Sequence, residues 1–339
     1  MGVGGIFAFA LLVATGLGTV NTWAQRISFA IATGPSGGTY FPMGQMLAGV
    51  ISHPLGVDRC STVDVCGPEG LIATAQTSPG SYANVLAVNT GRVDSALTQS
   101  DVVAQAVAGK GAFKTAQTHL RTIAVLFSED VHVVAANRAK IASISDLRGK
   151  RVSLGALYSG TAITARAVLS AYRLPPKRLR LSSDSADSAA QKLAAGQLDA
   201  FFFVGGAPVP LVQRLLAEGR AHLVAIDGDG RKRLVAALPG VAPDVITAGT
   251  YGTMNATQTV NVQAVWIVND AEPASIVYGL AKALFNSANR NLLDNGPPSA
   301  HQILLNRATL NISARLHPGA ERFYKEARKL QKSYMITPR

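Results

Sequence analysis

The sequence writes one structural unit twice: an apolar strand, a loop of Gly, Ser and Thr, and an amphipathic helix. Ile27 to Thr33 alternates into a strand, and Gly34-Pro-Ser-Gly-Gly-Thr39 forms the loop. A helix then begins near Tyr40, with Pro42 in its first turn, where a missing N–H costs nothing. Met43, Met46, Leu47, Val50 and Ile51 give that helix its apolar face. The second copy runs from the short strand Arg151 to Leu154 through the loop Gly155 to Thr161. Its helix carries Ile163, Ala167, Val168 and Ala171 on one face. A further echo follows each copy: Asn84 to Gln99 parallels Ala190 to Phe203. In both, a helix ends at glycine (Gly91, Gly196) and an Asp (Asp94, Asp199) opens the next strand. Phe201 to Val204 is an unbroken apolar run, as expected of a parallel strand buried on both faces. Alternating strands and helices in this order imply α/β lobes with mostly parallel sheets.

A chain of 339 residues is too long for one ordinary core and suits two lobes. At 48% hydrophobic and 15% charged residues, both interiors are easily filled. The β-rich segments Val131 to Ala135 and Val262 to Val268 flank the second set of repeats and read as paired crossover strands. The division expected is a first lobe at 25–134, an inserted second lobe at 135–262, and a return to the first lobe at 263–339. Ala320 to Gln331 forms an amphipathic helix in that return.

The N-terminus reads as an export signal: Ile6 to Gly18 is apolar, and Thr22-Trp-Ala24 offers small residues for cleavage after Ala24. No Lys or Arg precedes the apolar stretch, and Gly16 and Gly18 interrupt a segment already short for a membrane span. A signal peptide over 1–24 and a periplasmic mature protein are expected. Export makes a disulfide the natural reading of the two cysteines, Cys60 and Cys66. So small a ring stabilises by roughly 2 kcal/mol. As metal ligands they would need partners, and only His53 lies nearby.

The formal net charge is +12. Its densest runs (Arg148, Lys150 and Arg151; Lys177, Arg178 and Arg180; Arg231, Lys232 and Arg233) are short, scattered and free of interleaved aromatics, so no nucleic-acid partner is expected. They read as a solvated surface, with a modest field that steers anions in addition. Loops joining a strand's C-terminal end to a helix N-terminus aim unpaired N–H groups at one spot, and the helix dipole adds roughly half a positive charge. Glycines allow close approach, and Ser36, Thr39, Ser159 and Thr161 add neutral hydroxyl donors. The plain alternative is ordinary βα turns with Ser and Thr as N-caps. Neither loop is a P-loop or a dinucleotide fingerprint.

Ala32-Thr-Gly-Pro-Ser-Gly-Gly-Thr-Tyr-Phe-Pro-Met-Gly44 resembles the opening signature of the TAXI family, the TRAP-associated extracytoplasmic solute receptors. So do Gln99-Ser-Asp-Val102, Ile144 to Gly155, Tyr158-Ser-Gly-Thr161, Gly196 to Gly206 and Leu316 to Tyr324, in order over nearly the whole mature chain. The resemblance implies a two-lobed, type II periplasmic-binding-protein-like fold with a ligand cleft between the lobes. It implies a solute-binding protein that captures a small organic anion, a dicarboxylate or acidic amino acid, and delivers it to a TRAP permease. The stretch from Val57 to Ser78, longer and Cys-containing, departs from the family pattern.

Carried over position by position, the ligand-binding residues are Ser36, Gly37, Thr39 and Tyr40 from the first loop, with Ser81 and Gln99 from the same lobe. Tyr158, Ser159, Gly160 and Thr161 come from the other lobe, with Phe203 and Gly205 at a strand end and Thr250 and Tyr251 at the rim. Tyr40, Tyr158 and Tyr251 are equally readable as packed structural aromatics. No arginine stands out for the pocket, although Arg92 or Arg166 could arrive from elsewhere.

The rival reading is a serine hydrolase, because Gly34-Pro-Ser36-Gly-Gly38 satisfies Gly-x-Ser-x-Gly between a strand and a helix. Asp294 with His301 or His317 would complete a triad, but the motif follows the first mature strand, where a hydrolase elbow has several strands before it. The six histidines show no His-x-x-x-His spacing, and Asp227-Gly-Asp229-Gly lacks the closing Glu of a calcium loop. A monomeric, non-enzymatic binding protein with no cofactor and no metal is expected. The loops around Ser36 and Ser159 should face each other across a gap.

Overall fold

The structure is a computed structural model that describes residues 26–252 and 254–336. The proposed signal peptide lies outside the described residues. The first half of the chain runs β1 (Ile27–Ala32), α1 (Tyr40–Ile51), β2 (Leu71–Gln76), α2 (Ser81–Asn89), β3 (Ser95–Gln99), α3 (Ser100–Ala108) and β4 (Leu120–Ala136). There follow β5 (Arg151–Ser153), α4 (Gly160–Ala171), β6 (Arg180–Ser182), α5 (Ala186–Ala194), β7 (Ala200–Gly205), α6 (Pro210–Ala217), β8 (Ala221–Leu223), α7 (Gly228–Ala237) and β9 (Ala242–Ile246). The chain closes with β10 (Thr257–Asn269), α8 (Ala274–Leu284), α9 (Arg290–Asp294) and α10 (Pro318–Ile336).

Among the described residues the strands order as β2-β1-β3-β10-β4-β7-β5-β6, with β8 on β4 and β9 on β10. The order is a near-mirror. β2, β1 and β3 run parallel to one another, as do β6, β5 and β7, and each trio is closed by an antiparallel strand, β10 or β4. The duplication reaches individual hydrogen bonds. Asp94 Oδ2 accepts from Ala30 N at 2.6 Å and Asp199 Oδ2 from Arg151 N at 2.9 Å. Each Asp thus ties the strand it opens to the first strand of its own trio. Gly91 and Gly196 precede these strands with φ of +66° and +79°, the left-handed conformation expected of them.

Apolar side chains divide by the same symmetry. One core gathers residues between Val131 and Val262, including Phe201, Phe202, Leu169 and Leu193. Two further clusters gather around Phe29, Met43, Leu47, Trp266 and Leu280 and around Val85, Val102 and Ile267. β4 and β10 are the elements that pass between them. They are longer than the sequence suggested, and their pairing is displaced. β10 pairs through Asn261–Asn269 with Leu120–Asp130, upstream of the expected segment, while residues 130–135 of β4 pair with β7. Strand propensity is continuous from Leu120, so the polar Ser128-Glu-Asp130 marks the crossing and not a break. Cys60 and Cys66 are joined by a disulfide at the C-terminal end of α1.

Candidate functional site

Each trio brings the C-terminal ends of its three strands to one cavity of about 80 Å3 whose mouth opens to solvent. The β1–α1 loop supplies Gly34, Gly38, Thr39 and Tyr40, and its counterpart before α4 supplies Gly155, Ser159, Gly160 and Thr161. Pro79, Gly80 and Ser81 at the start of α2 answer to Ser185 and Ala186 at the start of α5. Gln99 ends β3, and Phe202 to Val204 lie at the matching end of β7. Glu129 of β4 completes the wall.

The N-termini of α1, α2, α4 and α5 therefore all border one space. Each brings roughly half a positive charge and first-turn N–H groups that its own helix cannot satisfy. Those of Tyr40, Ser81, Gly160 and Thr161 donate to no protein atom among the described residues. Among the described residues no Lys, Arg or His lines the cavity. What positive charge it offers an anion is the partial charge of backbone N–H groups, and its ionisable side chains among the described residues are Tyr40 and Glu129. Tyr40 donates to Glu129 Oε2 at 2.6 Å, with both residues buried. Burial raises the Glu129 carboxyl to about 8, and repulsion from Asp101 and Asp130 adds to it, against the lowering effect of the Tyr40 hydroxyl. Burial also holds the Tyr40 hydroxyl well above its usual value.

The lobes meet around this cavity. Ala83 N donates to Tyr158 O at 3.3 Å, the Thr164 hydroxyl donates to Asp101 Oδ2 at 2.9 Å, and the Tyr158 ring stacks on Tyr82 at 5.8 Å. A methyl group added at Gly160 would lie 2.7 Å from Ser81 Oγ and closer still to Gln99 Oε1. Glycine is what lets the N-terminus of α4 approach the opposite lobe.

Residues 31–327 match the NMT1-like family. The chain belongs to the NMT1-like family. Among solved structures, MatC from Rhodopseudomonas palustris with bound malate is similar at 13% identity, with a TM-score of 0.54 over 90% of this chain and 98% of that one. The alkanesulfonate-binding protein SsuA from Xanthomonas axonopodis pv. citri bound to MOPS has 15% identity and a TM-score of 0.46, over 93% and 96% of the two chains. The likeness to MatC, with the paired trios above, gives this NMT1-like protein a periplasmic-binding-protein-like α/β fold of two lobes and a cleft.

Of the residues expected from sequence, Thr39, Tyr40, Ser81, Gln99, Ser159, Gly160, Thr161 and Phe203 line the cavity. Gly205 lies beside it, close against Thr39 Oγ1. Ser36 and Gly37, at the exposed tip of their loop, instead line a neighbouring groove with Asp187 and Arg214. Tyr158 is 61% exposed and serves the stack with Tyr82. Thr250 bonds to Thr247 in an exposed turn. Tyr251 is buried, its hydroxyl within 2.7 Å of His132 Nε2 and accepting from Val209 N, so it packs the second lobe and does not line the cavity. Arg92 and Arg166 stay on the surface.

Two hydroxyls of the cavity wall also hold bonds within the protein. Ser159 Oγ accepts from Ala162 N and donates to Ala156 O, which makes it the N-cap of α4, and Thr161 Oγ1 accepts from Val204 N. The triad partners weighed for Ser36 are bonded elsewhere: Asp294 to Arg290, His301 to Pro298 O, and His317 Nδ1 to Gly319 N. Sequence reasoning missed Glu129, Gly80 and Ser185. Glu129 had a signal, since two carboxylates interrupting the run Val125 to Val134 need a reason to sit in a buried strand.

Proposed function

We propose that this protein is an extracytoplasmic solute receptor. It captures a small organic anion, a dicarboxylate or acidic amino acid, between its lobes and delivers it to a TRAP-type permease. The observation that carries the reading is the convergence of four helix N-termini on a cavity that no basic side chain lines among the described residues. Such a site favours negative charge through fixed N–H dipoles, and suits a ligand that must later be released. The TAXI-like motifs support the TRAP partnership, and the malate bound to MatC supports the ligand class. In this reading residues 1–24 direct export, and the lobes at 25–134 with 263–339 and at 135–262 rotate about β4 and β10. Contacts made by both lobes exist only when closed, so binding shifts that population.

A thermal-shift screen of the protein from Gln25 onward against dicarboxylates, amino acids and sulfonates tests the reading. A melting temperature that climbs with the concentration of one anion is expected. No shift with any anion, or labelling of Ser36 by a fluorophosphonate, overturns it.

A further inference from the structure

Glu129 has no place in a cavity that merely attracts anions, because a carboxylate there would repel the guest. It is 1% exposed and lines the cavity. The groups that face it are the Tyr40 hydroxyl from α1, Asp101 from α3, and its neighbour Asp130 on β4. Opposite it on β10 stands Val262, which does not titrate. The second lobe brings Phe203 and no cation. His132, three residues along β4, is bonded to Tyr251 and is lowered by burial to about 4, so it supplies no positive charge near neutrality. Among the described residues Glu129 thus has two acids for company and no base. Tyr40 engages Oε2, and no hydrogen bond engages Oε1 among the described residues.

We propose that Glu129 is a specificity-determining residue that meets the ligand as a neutral acid, donating its carboxyl proton in a hydrogen bond to an oxygen of the bound anion. The inference rests on the receptor reading above and deepens it. The site requires an oxygen acceptor at the β4 end of the cavity and disfavours a second anionic charge where Glu129 has lost its proton. An acid kept neutral by burial can donate as a hydroxyl does. With the carboxyl raised to about 8, the ligand-competent form dominates at neutral pH and is depleted above it.

Isothermal titration of the protein from Gln25 onward with malate, succinate and glutamate, at pH 7, 8 and 9, tests this. Affinity for the best of the three should fall about tenfold from pH 7 to pH 9, with uptake of close to one proton per ligand at pH 9. The Glu129→Gln variant, whose amide donates without titrating, should bind several-fold more weakly at pH 7 and equally at pH 9, with no proton uptake. A 13C titration of the labelled glutamate carboxyls reads the same proton without ligand. A Glu129 midpoint near the ordinary 4.5, or an affinity that is flat or rising with pH, overturns this inference alone. No binding by any of the three overturns the dicarboxylate reading and this inference with it.

Discussion

Ser159 lines the cavity with a hydroxyl that is also part of the helix cap. Its hydroxyl already holds two bonds of the α4 cap. Ser159→Ala should therefore cost about 1 kcal/mol in urea unfolding and change ligand affinity by less than about threefold. Sequence order pointed to Ser159, which lines the cavity, but could not say where its hydrogen bonds go, because cap and ligand donors draw on the same residue types. Glu129 carries the opposite lesson, since its role comes from neighbours distant in sequence, Tyr40 and Asp101. Its carboxyl binds a proton more tightly folded than unfolded. The associated stability is complete below about 4.5 and is lost as pH rises through about 8. Asp130, raised by burial to about 7, acts in the same direction, whereas His132 loses stability as pH falls from 6.5 through about 4. Unfolding of wild type and Glu129→Gln from pH 5 to 9 should thus diverge, with wild type losing on the order of a few kcal/mol relative to the variant. Parallel curves would contradict the assignment.

Elements were more legible than side chains. A strand, a loop and a helix leave periodic marks, so both repeats were readable, down to the glycine and Asp before β3 and β7. The reach of β4 was not, because a strand crossing between lobes changes partners without changing composition. Close approach of elements was legible only as a surplus of glycine. The first turn of α4 abuts Gln99 and Ser81 through Gly160. Gly160→Ala should leave the helix as stable or more so, since Ala is the better helix former. It should still weaken ligand binding at least tenfold by keeping the lobes apart, read as a raised Kd with an unchanged or higher Tm.

For the molecule as a whole, closure has an aromatic latch outside the cavity. Phe113, Tyr82 and Tyr158 stack in series, with ring centroids 4.8 and 5.8 Å apart, and only Tyr158 belongs to the second lobe. Such a pair is worth about 0.5–1.5 kcal/mol beyond its buried area. Tyr158→Ala should raise Kd about two- to tenfold and increase the radius of gyration of the ligand-free protein in solution scattering. An unchanged radius and affinity would show the stack to be incidental. The shared strands also bear on how the chain is made. Synthesis from the N-terminus delivers β3 and β4 more than a hundred residues before β10, the strand that lies between them. Until then two rows of backbone groups stand open with the width of one missing strand between them, a ready template for another molecule. A chain cut after Ile246 should therefore self-associate, and any nascent copy has to be kept from its neighbours until its last quarter arrives.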